Sequence, residues 1–395
     1  MKIKLLTLLM MVCLISCSKE REEVITDPPT IIEFYTDIDK VGSNLTIVGE
    51  NFSRHIENNL IIFGGSVETN PYSWKHGSRT KKDTLDVIIP EGAKSGRIAI
   101  EVYSERVIST DILYLFKGKF TKMAPIPVER MEAVAFSING KGYVCTGSRS
   151  AGPDPELNDL WEYDPNTDKW TQKNDFPGRA RHQAYSFVID GKAYVGGGRY
   201  TYGGFIDDFY CYNPESDTWT ELAGFSETGT TKCTTFAINN KGYVVSEYGF
   251  DTVYEYNPIT DEWVRKGNIN VSTSRNASSF VINNTAYIVV GSDFLKYNAE
   301  SDIWSREDLP LNRGYSGVGF TIGNRGYFVN GFDDKSLNYS YNQLNNSWTQ
   351  EVAFPGASNG SACSFVIDDK AYIVGGEIDN YTDSNECWRF QVNLH

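Results

Sequence analysis

The sequence of 395 residues predicts an all-β protein in which a small sandwich precedes a ring of repeated sheets. Three observations predict this class. An apolar segment ending in Phe-x-Ile recurs six times after residue 119. A Tyr and then a second aromatic pair follow each copy at similar distances. Residues 31–102 instead show short alternating apolar runs separated by glycine turns, without a helical period.

The repeat has the period of propeller blades. Its Phe positions lie 51, 49, 44, 40 and 45 residues apart, and they are Phe136, Phe187, Phe236, Phe280, Phe320 and Phe365. In five copies a second Tyr precedes a Trp by seven residues, as from Tyr163 to Trp170. We therefore expect four antiparallel strands per copy, with the Phe strand innermost and the Trp strand outermost.

The sixth copy ends without a Trp strand. Phe390 takes its second-Tyr position, and the chain stops at residue 395. Near the start of the repeats, Phe120 precedes Pro127 by the interval that separates Trp170 from Pro177. We predict that residues 119–124 supply the missing outermost strand and close a six-bladed ring.

The repeats resemble the kelch family. The double glycines Gly196-Gly197 and Gly375-Gly376 end second strands, and an Asp-Pro or Asn-Pro turn precedes the Trp strand. Copies three to five replace the double glycine. The resemblance implies a kelch β-propeller over residues 117–395.

Residues 28–116 contain five predicted strands, at 31–34, 45–48, 60–63, 85–89 and 98–102. The segments 42–52 and 62–65, and Ile89-Pro90 followed by Gly96, resemble the IPT/TIG family. That resemblance implies an immunoglobulin-like sandwich acting as a rigid spacer. Tyr72 and Trp74 beside His76 are either a ligand platform or, as we favour, loop aromatics that cover their own core.

Residues 1–16 predict a secretory signal, with Lys2 and Lys4 before an apolar run that is too short to span a membrane. The end of the run, Leu-Ile-Ser followed by Cys17, resembles a bacterial lipobox and implies lipidation of Cys17. The alternative is an ordinary cleaved signal. Polar residues 17–27 then form a tether. We expect an outer-membrane lipoprotein, in either leaflet.

The net charge limits the possible partners, and the number of cysteines limits the possible disulfides. Removal of the signal changes the net charge from −14 to −16, which argues against nucleic-acid binding. Five cysteines remain after Cys17, all in predicted strands. Buried free thiols are favoured, and a bridge between Cys363 and Cys387 is the alternative.

Two sets of loops are expected at one face of the ring, where variable loops carry function. One basic residue per blade predicts an anionic or hydroxyl-rich ligand, a glycan or a protein. The alternative is that these arginines pair with loop acids and tie blades together. The candidate ligand-binding residues are Arg130, Arg149, Arg181, His182, Arg199, Tyr200, Tyr202, Lys232, Glu247, Tyr248, Arg275, Arg313, Tyr315, Glu377 and Tyr381.

Enzymatic alternatives follow from the same resemblance. Some kelch proteins are copper oxidases, but His182 is the one non-terminal His of the repeats, so we predict neither metal nor cofactor. Other kelch rings are sialic acid mutarotases, which need a positioned acid and base. The candidate catalytic residues for such a reaction are Arg181 or Arg199, together with Glu247. We favour a binding protein over this mutarotase or epimerase alternative.

Overall fold

The computed structural model describes residues 27–36, 42–77, 82–113, 116–150, 155–201, 203–224, 231, 233–246, 252–269, 277–309, 316–329, 338–358, 360–379 and 382–394. Within these ranges the regular structure is β-strand, apart from one 3-10 turn at Ile56–Asn58. No helix in the ranges is long and apolar enough to cross a membrane. The predicted all-β class is confirmed.

The first part of the chain forms two four-stranded sheets, ordered β1-β2-β6-β5 and β4-β3-β7-β8. Alternate side chains of both sheets, such as Leu45 and Ile100, bury in one shared core, so the sheets form a sandwich. The strands are β1 (Thr30–Thr36), β2 (Asn44–Glu50), β3 (Asn59–Gly64), β4 (Val67–Thr69), β5 (Ser73–His76), β6 (Asp83–Ile88), β7 (Lys94–Val102) and β8 (Glu105–Leu113).

The five strands predicted in this part overlap β1, β2, β3, β6 and β7. Trp74 is partly buried and packs against the sandwich core, as the favoured interpretation expected. Tyr72, in contrast, is 56% exposed. The two neighbouring aromatics therefore have different roles.

The remaining described chain forms six four-stranded antiparallel sheets, numbered here in chain order. Strand β9 (Phe116–Met123) comes first. Sheet 1 contains β10 (Val134–Ile138), β11 (Lys141–Cys145), β12 (Leu160–Asp164) and β13 (Lys169–Gln172). Sheet 2 contains β14 (Tyr185–Ile189), β15 (Lys192–Gly196), β18 (Phe209–Asn213) and β19 (Thr218–Leu222), with the hairpin β16 (Arg199–Tyr200) and β17 (Gly204–Phe205) between β15 and β18.

The other four sheets repeat this plan. Sheet 3 contains β20 (Thr234–Ile238), β21 (Lys241–Ser246), β22 (Thr252–Asn257) and β23 (Glu262–Asn268). Sheet 4 contains β24 (Ser278–Ile282), β25 (Thr285–Val290), β26 (Asp293–Asn298) and β27 (Ile303–Glu307). Sheet 5 contains β28 (Val318–Ile322), β29 (Arg325–Val329), β30 (Tyr339–Asn342) and β31 (Ser347–Gln350). Sheet 6 contains β32 (Cys363–Ile367), β33 (Lys370–Val374) and β36 (Cys387–Leu394), with the hairpin β34 (Glu377–Asp379) and β35 (Thr382–Asp383) before β36.

The sheets stand around a common axis. Each Phe-x-Ile strand contacts the corresponding strand of the next sheet, from β10 through β14, β20, β24 and β28 to β32, and β32 contacts β10 again. The Tyr and Trp strands follow outward in the predicted order. This arrangement places the residues before the inner strands at one mouth of the ring.

The two ends of the ring segment share sheet 6. Strand β9 pairs with β36 along its whole length, and Phe120 lies opposite Phe390. The two rings are 4.9 Å apart, and Phe120 also meets Phe354 edge-on at 5.3 Å. The pairing of residues 119–124 with the last strand is therefore as predicted.

A clamp joins most neighbouring sheets at their outer ends. In sheet 3 the Tyr256 hydroxyl donates to Asp261 Oδ1 at 2.8 Å, and Asp261 also accepts the Ala223 N–H of sheet 2. Trp263 Nε1 donates to the Ala223 carbonyl at 3.0 Å. Sheets 1 and 2 have the same arrangement, through Asp168 and Asp217. The recurring Tyr and Trp are thus structural.

All five cysteines within the described ranges are free thiols. Cys363 and Cys387 belong to sheet 6 on strands that flank β33, and both are buried. Burial raises the pKa of each thiol. The favoured interpretation of buried free thiols is confirmed for Cys145, Cys363 and Cys387, whereas the free thiols of Cys211 and Cys233 are half-buried.

Candidate functional site

A cavity of about 150 Å³ lies on the ring axis at one mouth. All six sheets contribute to it, because its lining residues are those that come directly before the inner strands. The cavity is lined by Glu132, Ala133, Gln183, Ala184, Cys233, Ala277, Ser316, Gly317, Ser361 and Ala362.

Four lining residues share an uncommon backbone conformation. Glu132, Gln183, Ser316 and Ser361 have φ angles of 53°, 57°, 55° and 54°. Such left-handed angles are rare outside glycine and persist where the surroundings hold them. Here backbone hydrogen bonds connect the sheets: Gln183 N donates to Glu132 O at 3.0 Å, Glu132 N to Ser361 O at 2.9 Å, and Ser361 N to Ser316 O at 3.2 Å. The rim of the cavity is a fixed frame.

Side chains on this rim also hydrogen-bond to each other. Gln183 Nε2 donates to Glu132 Oε1 at 2.6 Å, and Thr231 Oγ1 donates to Gln183 Oε1 at 2.6 Å. Both ends of the Gln183 amide are therefore oriented by neighbouring sheets. A pre-oriented amide and carboxylate facing a polar cavity suit the recognition of hydroxyl groups.

His182 lies beside the rim and is 5% exposed. Its Nε2 is 3.9 Å from Glu132 Oε2, and its Nδ1 is 3.9 Å from Glu156 Oε1. Arg199 Nε donates to His182 Nε2 at 3.2 Å, which requires that nitrogen to carry no proton. Backbone bonds between His182 and Arg199, at 3.0 and 3.1 Å, fix the pair.

Glu156 keeps its negative charge in this cluster. Burial by itself would raise its pKa, but hydrogen bonding to Thr201 lowers the pKa below the usual value. The cluster thus combines an ionised carboxylate, an imidazole and a guanidinium next to the axial cavity. Such a set can accept hydrogen bonds, donate them and move protons.

Two predicted ligand contacts are corrected by the structure. Arg130 and Arg181 are fully buried and do not reach the cavity. Arg130 forms a two-pronged pair with Asp159, with both N···O distances at 2.8 Å, and donates to the Thr146 carbonyl at 3.0 Å. Arg181 pairs with Asp208 in the same way, with 2.8 Å between Nη2 and Oδ2. These arginines pair with loop acids, as the alternative interpretation held, but the acids belong to their own sheets, so the pairs do not tie neighbouring blades together.

The hairpin β16–β17 carries two more candidates next to the rim. Arg199 contacts His182, and Tyr200 lies under the Arg179 guanidinium, 3.6 Å from ring centroid to Cζ. Phe205 on the second strand is 45% exposed. The hairpin therefore presents one aromatic ring covered by a guanidinium and one partly exposed ring.

The other described candidates lie further round the mouth. Arg149 is half-buried, and its backbone N–H donates to Pro155. Glu377 is half-buried on β34 and bridges to Gly360 through the backbone. Neither lines the axial cavity.

Several predicted residues lie outside the described ranges, so their positions are not compared. They are the lipidation candidate Cys17 and the loop residues Tyr202, Lys232, Glu247, Tyr248, Arg275, Arg313, Tyr315 and Tyr381.

The sequence argument missed Glu132, Glu156 and Gln183. A positional signal was present for two of them: Glu132 and Gln183 each stand two residues before an inner strand, where Ser316 and Ser361 also stand. Aligning the repeats on the inner strand would have selected this position. Glu156 lies in a loop of sheet 1 and has no equivalent signal.

A metal centre finds no support in the described ranges. No group of three or more His, Cys, Asp or Glu side chains is placed there to hold an ion. The contacts of His182 lead to carboxylates and a guanidinium at hydrogen-bonding or longer distances.

Comparisons with known proteins agree with this architecture. Residues 120–292 match the family model of the KLHDC2/KLHL20/DRC7 Kelch-repeats domain, so this part of the chain is similar to kelch repeats. Among solved structures, the one titled "Structure of YjhT" is similar, with a TM-score of 0.57 and 18% identity over 67% of this chain and 95% of that chain. At that identity the likeness shows the fold alone. No curated protein sequence gives a significant match.

Proposed function

We propose that this protein is a cell-envelope binding protein whose kelch propeller holds a glycan at the axial cavity. The observation that carries the proposal is the fixed polar rim, in which neighbouring sheets orient Glu132 and Gln183 toward a cavity of about 150 Å³. Ordinary ligand pockets span roughly 300–1,000 Å³. The cavity therefore suits one sugar residue or the end of a glycan chain.

The charge of the described mouth favours a neutral, hydroxyl-rich ligand over an anionic one. Arg130 and Arg181 are neutralised by Asp159 and Asp208. In the described cluster around His182, the two carboxylates of Glu132 and Glu156 stand against one guanidinium, that of Arg199, so the cluster repels an anion. The sequence predicts an anionic or a hydroxyl-rich ligand, and of these two we propose the hydroxyl-rich one.

Gln183→Ala tests the site in the mature chain. We expect titration calorimetry against mono- and oligosaccharides to show an affinity loss of roughly thirtyfold, because two hydrogen-bonding groups of about 1 kcal/mol each disappear from the rim. Gln172→Ala, on the outermost strand of sheet 1, should leave the affinity unchanged. Equal affinities for both variants would move the site away from the axis.

A mutarotase is the second candidate, supported by the position of His182 between Glu132 and Glu156 at 3.9 Å each. Opening a cyclic sugar needs an acid and a base in reach of one hemiacetal. Arg181 is too buried to take the role first given to it. NMR of freshly dissolved N-acetylneuraminic acid should show faster anomer equilibration with the protein than with His182→Asn. Equal rates for protein, variant and buffer would exclude this candidate.

We also propose the arrangement in the envelope. Residues 1–16 would be the signal, lipidated Cys17 the anchor and residues 17–27 the tether. Residues 28–116 would be an IPT/TIG spacer, and the six sheets would be the six blades of the propeller. The acidic chain, with a net charge of −14, supports a partner other than nucleic acid. Cys17→Ser should shift the protein from the membrane fraction to the soluble fraction, and unchanged fractionation would contradict the anchor.

A further inference from the structure

The outer face of the sandwich sheet β1-β2-β6-β5 carries two tyrosines that the ring does not use. Tyr35 is 46% exposed and Tyr72 is 56% exposed. Tyr35 pairs with Thr46, Thr46 with Asp86, and Asp86 with Ser73. Directly paired residues of antiparallel strands point to the same face. Tyr35 therefore shares its face with the polar row that ends next to Tyr72.

The ring of Tyr72 lies along this face. Its backbone N–H donates to the Asp86 carbonyl at 2.9 Å, at the start of β5. Its hydroxyl donates to Asn44 Oδ1 on β2 at 2.8 Å. Since β6 lies between β5 and β2, the side chain crosses β6 near Ile88, which is itself 46% exposed. One flat side of the ring is left toward solvent.

The polar row beneath the tyrosines is rigid and self-neutralised. Thr46 Oγ1 donates to Asp86 Oδ1 at 2.9 Å, and Lys75 Nζ donates to Asp86 Oδ2 at 3.0 Å. Asp86 is 7% exposed. The hydrogen bond and charge of Asp86 raise the pKa of Lys75. Lys75 and Asp86 neutralise each other, and the exposed Glu33, which pairs with Val48 on the same face, repels an anionic polymer.

We propose that this face is a second binding site, for a neutral polysaccharide chain. Tyr72 and Tyr35 stack against sugar rings, because a flat aromatic side offers apolar contact at low entropic cost. Lys75 offers N–H donors to sugar hydroxyls between them. The site lies on the sandwich and does not depend on the function proposed for the axial cavity.

Affinity electrophoresis of the mature chain tests the proposal. Native gels would contain amylopectin, xyloglucan, galactomannan or arabinoxylan, with alginate as an anionic comparison. We expect at least one neutral polymer to retard the protein, and Tyr35→Ala/Tyr72→Ala to raise the apparent Kd at least tenfold. Tyr103→Ala is the matched control, since Tyr103 is 51% exposed at the β7–β8 turn of the other sheet.

Two further variants distinguish a loss of binding from a loss of folding, and the sandwich site from the site in the ring. Tyr72→Phe keeps the stacking ring and should keep most of the retardation, whereas a fold defect in the double variant would appear in its circular-dichroism melt. Gln183→Ala should leave retardation through the sandwich intact even if it abolishes binding at the ring. The proposal is overturned if no neutral polymer retards the protein, if the double variant migrates like the native chain, or if only alginate is effective.

Discussion

At the scale of single residues, the Asp of each outer clamp has the largest structural role. Asp261 has a left-handed φ of 52°, accepts from Tyr256 and from the previous sheet, and stands beside Trp263. Burial, followed by the hydrogen bond to Asp261, raises the pKa of Tyr256 far above its usual range. The hydroxyl therefore stays protonated and donates to Asp261 at any ordinary pH.

Tyr256→Phe removes this donor while keeping the ring. We expect the free energy of unfolding to fall by about 1–2 kcal/mol, because the buried carboxylate loses a hydrogen bond. Chemical denaturation of the isolated ring would measure it. Ile259→Ala, in the same turn and 91% exposed, should change stability by less than about 0.5 kcal/mol. Equal effects of both changes would show that the clamp contributes nothing.

Arg181 gives the second residue-scale prediction. Arg181→Leu leaves the Asp208 carboxylate without its ion partner, and breaking a buried pair costs roughly 3–5 kcal/mol. Asp208 is 26% exposed, so we expect the lower end of that range in a denaturant titration. A large loss of stability with sugar affinity retained would support the structural role. Normal stability with lost affinity would restore Arg181 to the ligand site.

At the scale of elements, the junction between β9 and β36 decides whether the ring is closed. Sheet 6 has Phe390 and Phe120 where other sheets have the Tyr and Trp of the clamp. Aromatic packing with Phe354 replaces the hydrogen bonds there. A chain of residues 124–395 lacks this strand, whereas one of residues 116–395 retains it.

We expect the shorter chain to melt at least about 10 °C below the longer one. Loss of the half-buried Phe120 together with its strand costs roughly 3–5 kcal/mol, and each kcal/mol is worth about 2–4 °C in a domain of this size. Scanning calorimetry of the two chains would measure the difference. Equal melting temperatures would mean that the strand is dispensable for closure.

Glu386 makes the stability of the β9–β36 junction dependent on pH. It accepts hydrogen bonds from Lys122 at 2.6 Å, from the Ala357 N–H at 2.8 Å and from Trp388 Nε1 at 3.0 Å. Burial opposes ionisation, but these bonds and the Lys122 charge lower its pKa below the ordinary value of 4.5. A lowered pKa stabilises the folded state above the unfolded pKa, and that stability is lost as pH falls through the folded value.

Glu386→Gln should therefore cost stability at pH 7 and cost progressively less as pH falls below about 4.5. Urea titrations of both proteins between pH 3 and pH 7 would measure this dependence. Glu68→Gln, at an exposed position of β4 in the sandwich, is a control with the same loss of one negative charge. A stability difference that is constant with pH would exclude Glu386 as the origin.

At the scale of the whole molecule, the sequence predicts architecture better than site. Phe136 and its repeats could be placed on inner strands because burial alternates along the same five residues in every copy. Phe120 could be paired with the last strand because its distance to Pro127 equals the Trp-to-Pro distance of another copy, although Phe replaces Trp there. Arg130 and Arg181 could not be assigned, because their partners come 29 and 27 residues later and are recognised only once the loops are folded. The bonding of Gln183 to Glu132 and Thr231 needs three sheets in place.

The sandwich is joined by the chain directly to β9, the strand that completes the ring. A force that pulls the two parts apart along the chain therefore acts on the β9–β36 pair that closes the ring, at the end of β9 that pairs with Leu394. A hydrogen bond from Asn345 Nδ2 in sheet 5 to the Thr36 carbonyl of β1 joins the two parts a second time. The force that the chain itself transmits is carried by the pairing of β9 with β36, which the Phe120 contacts reinforce.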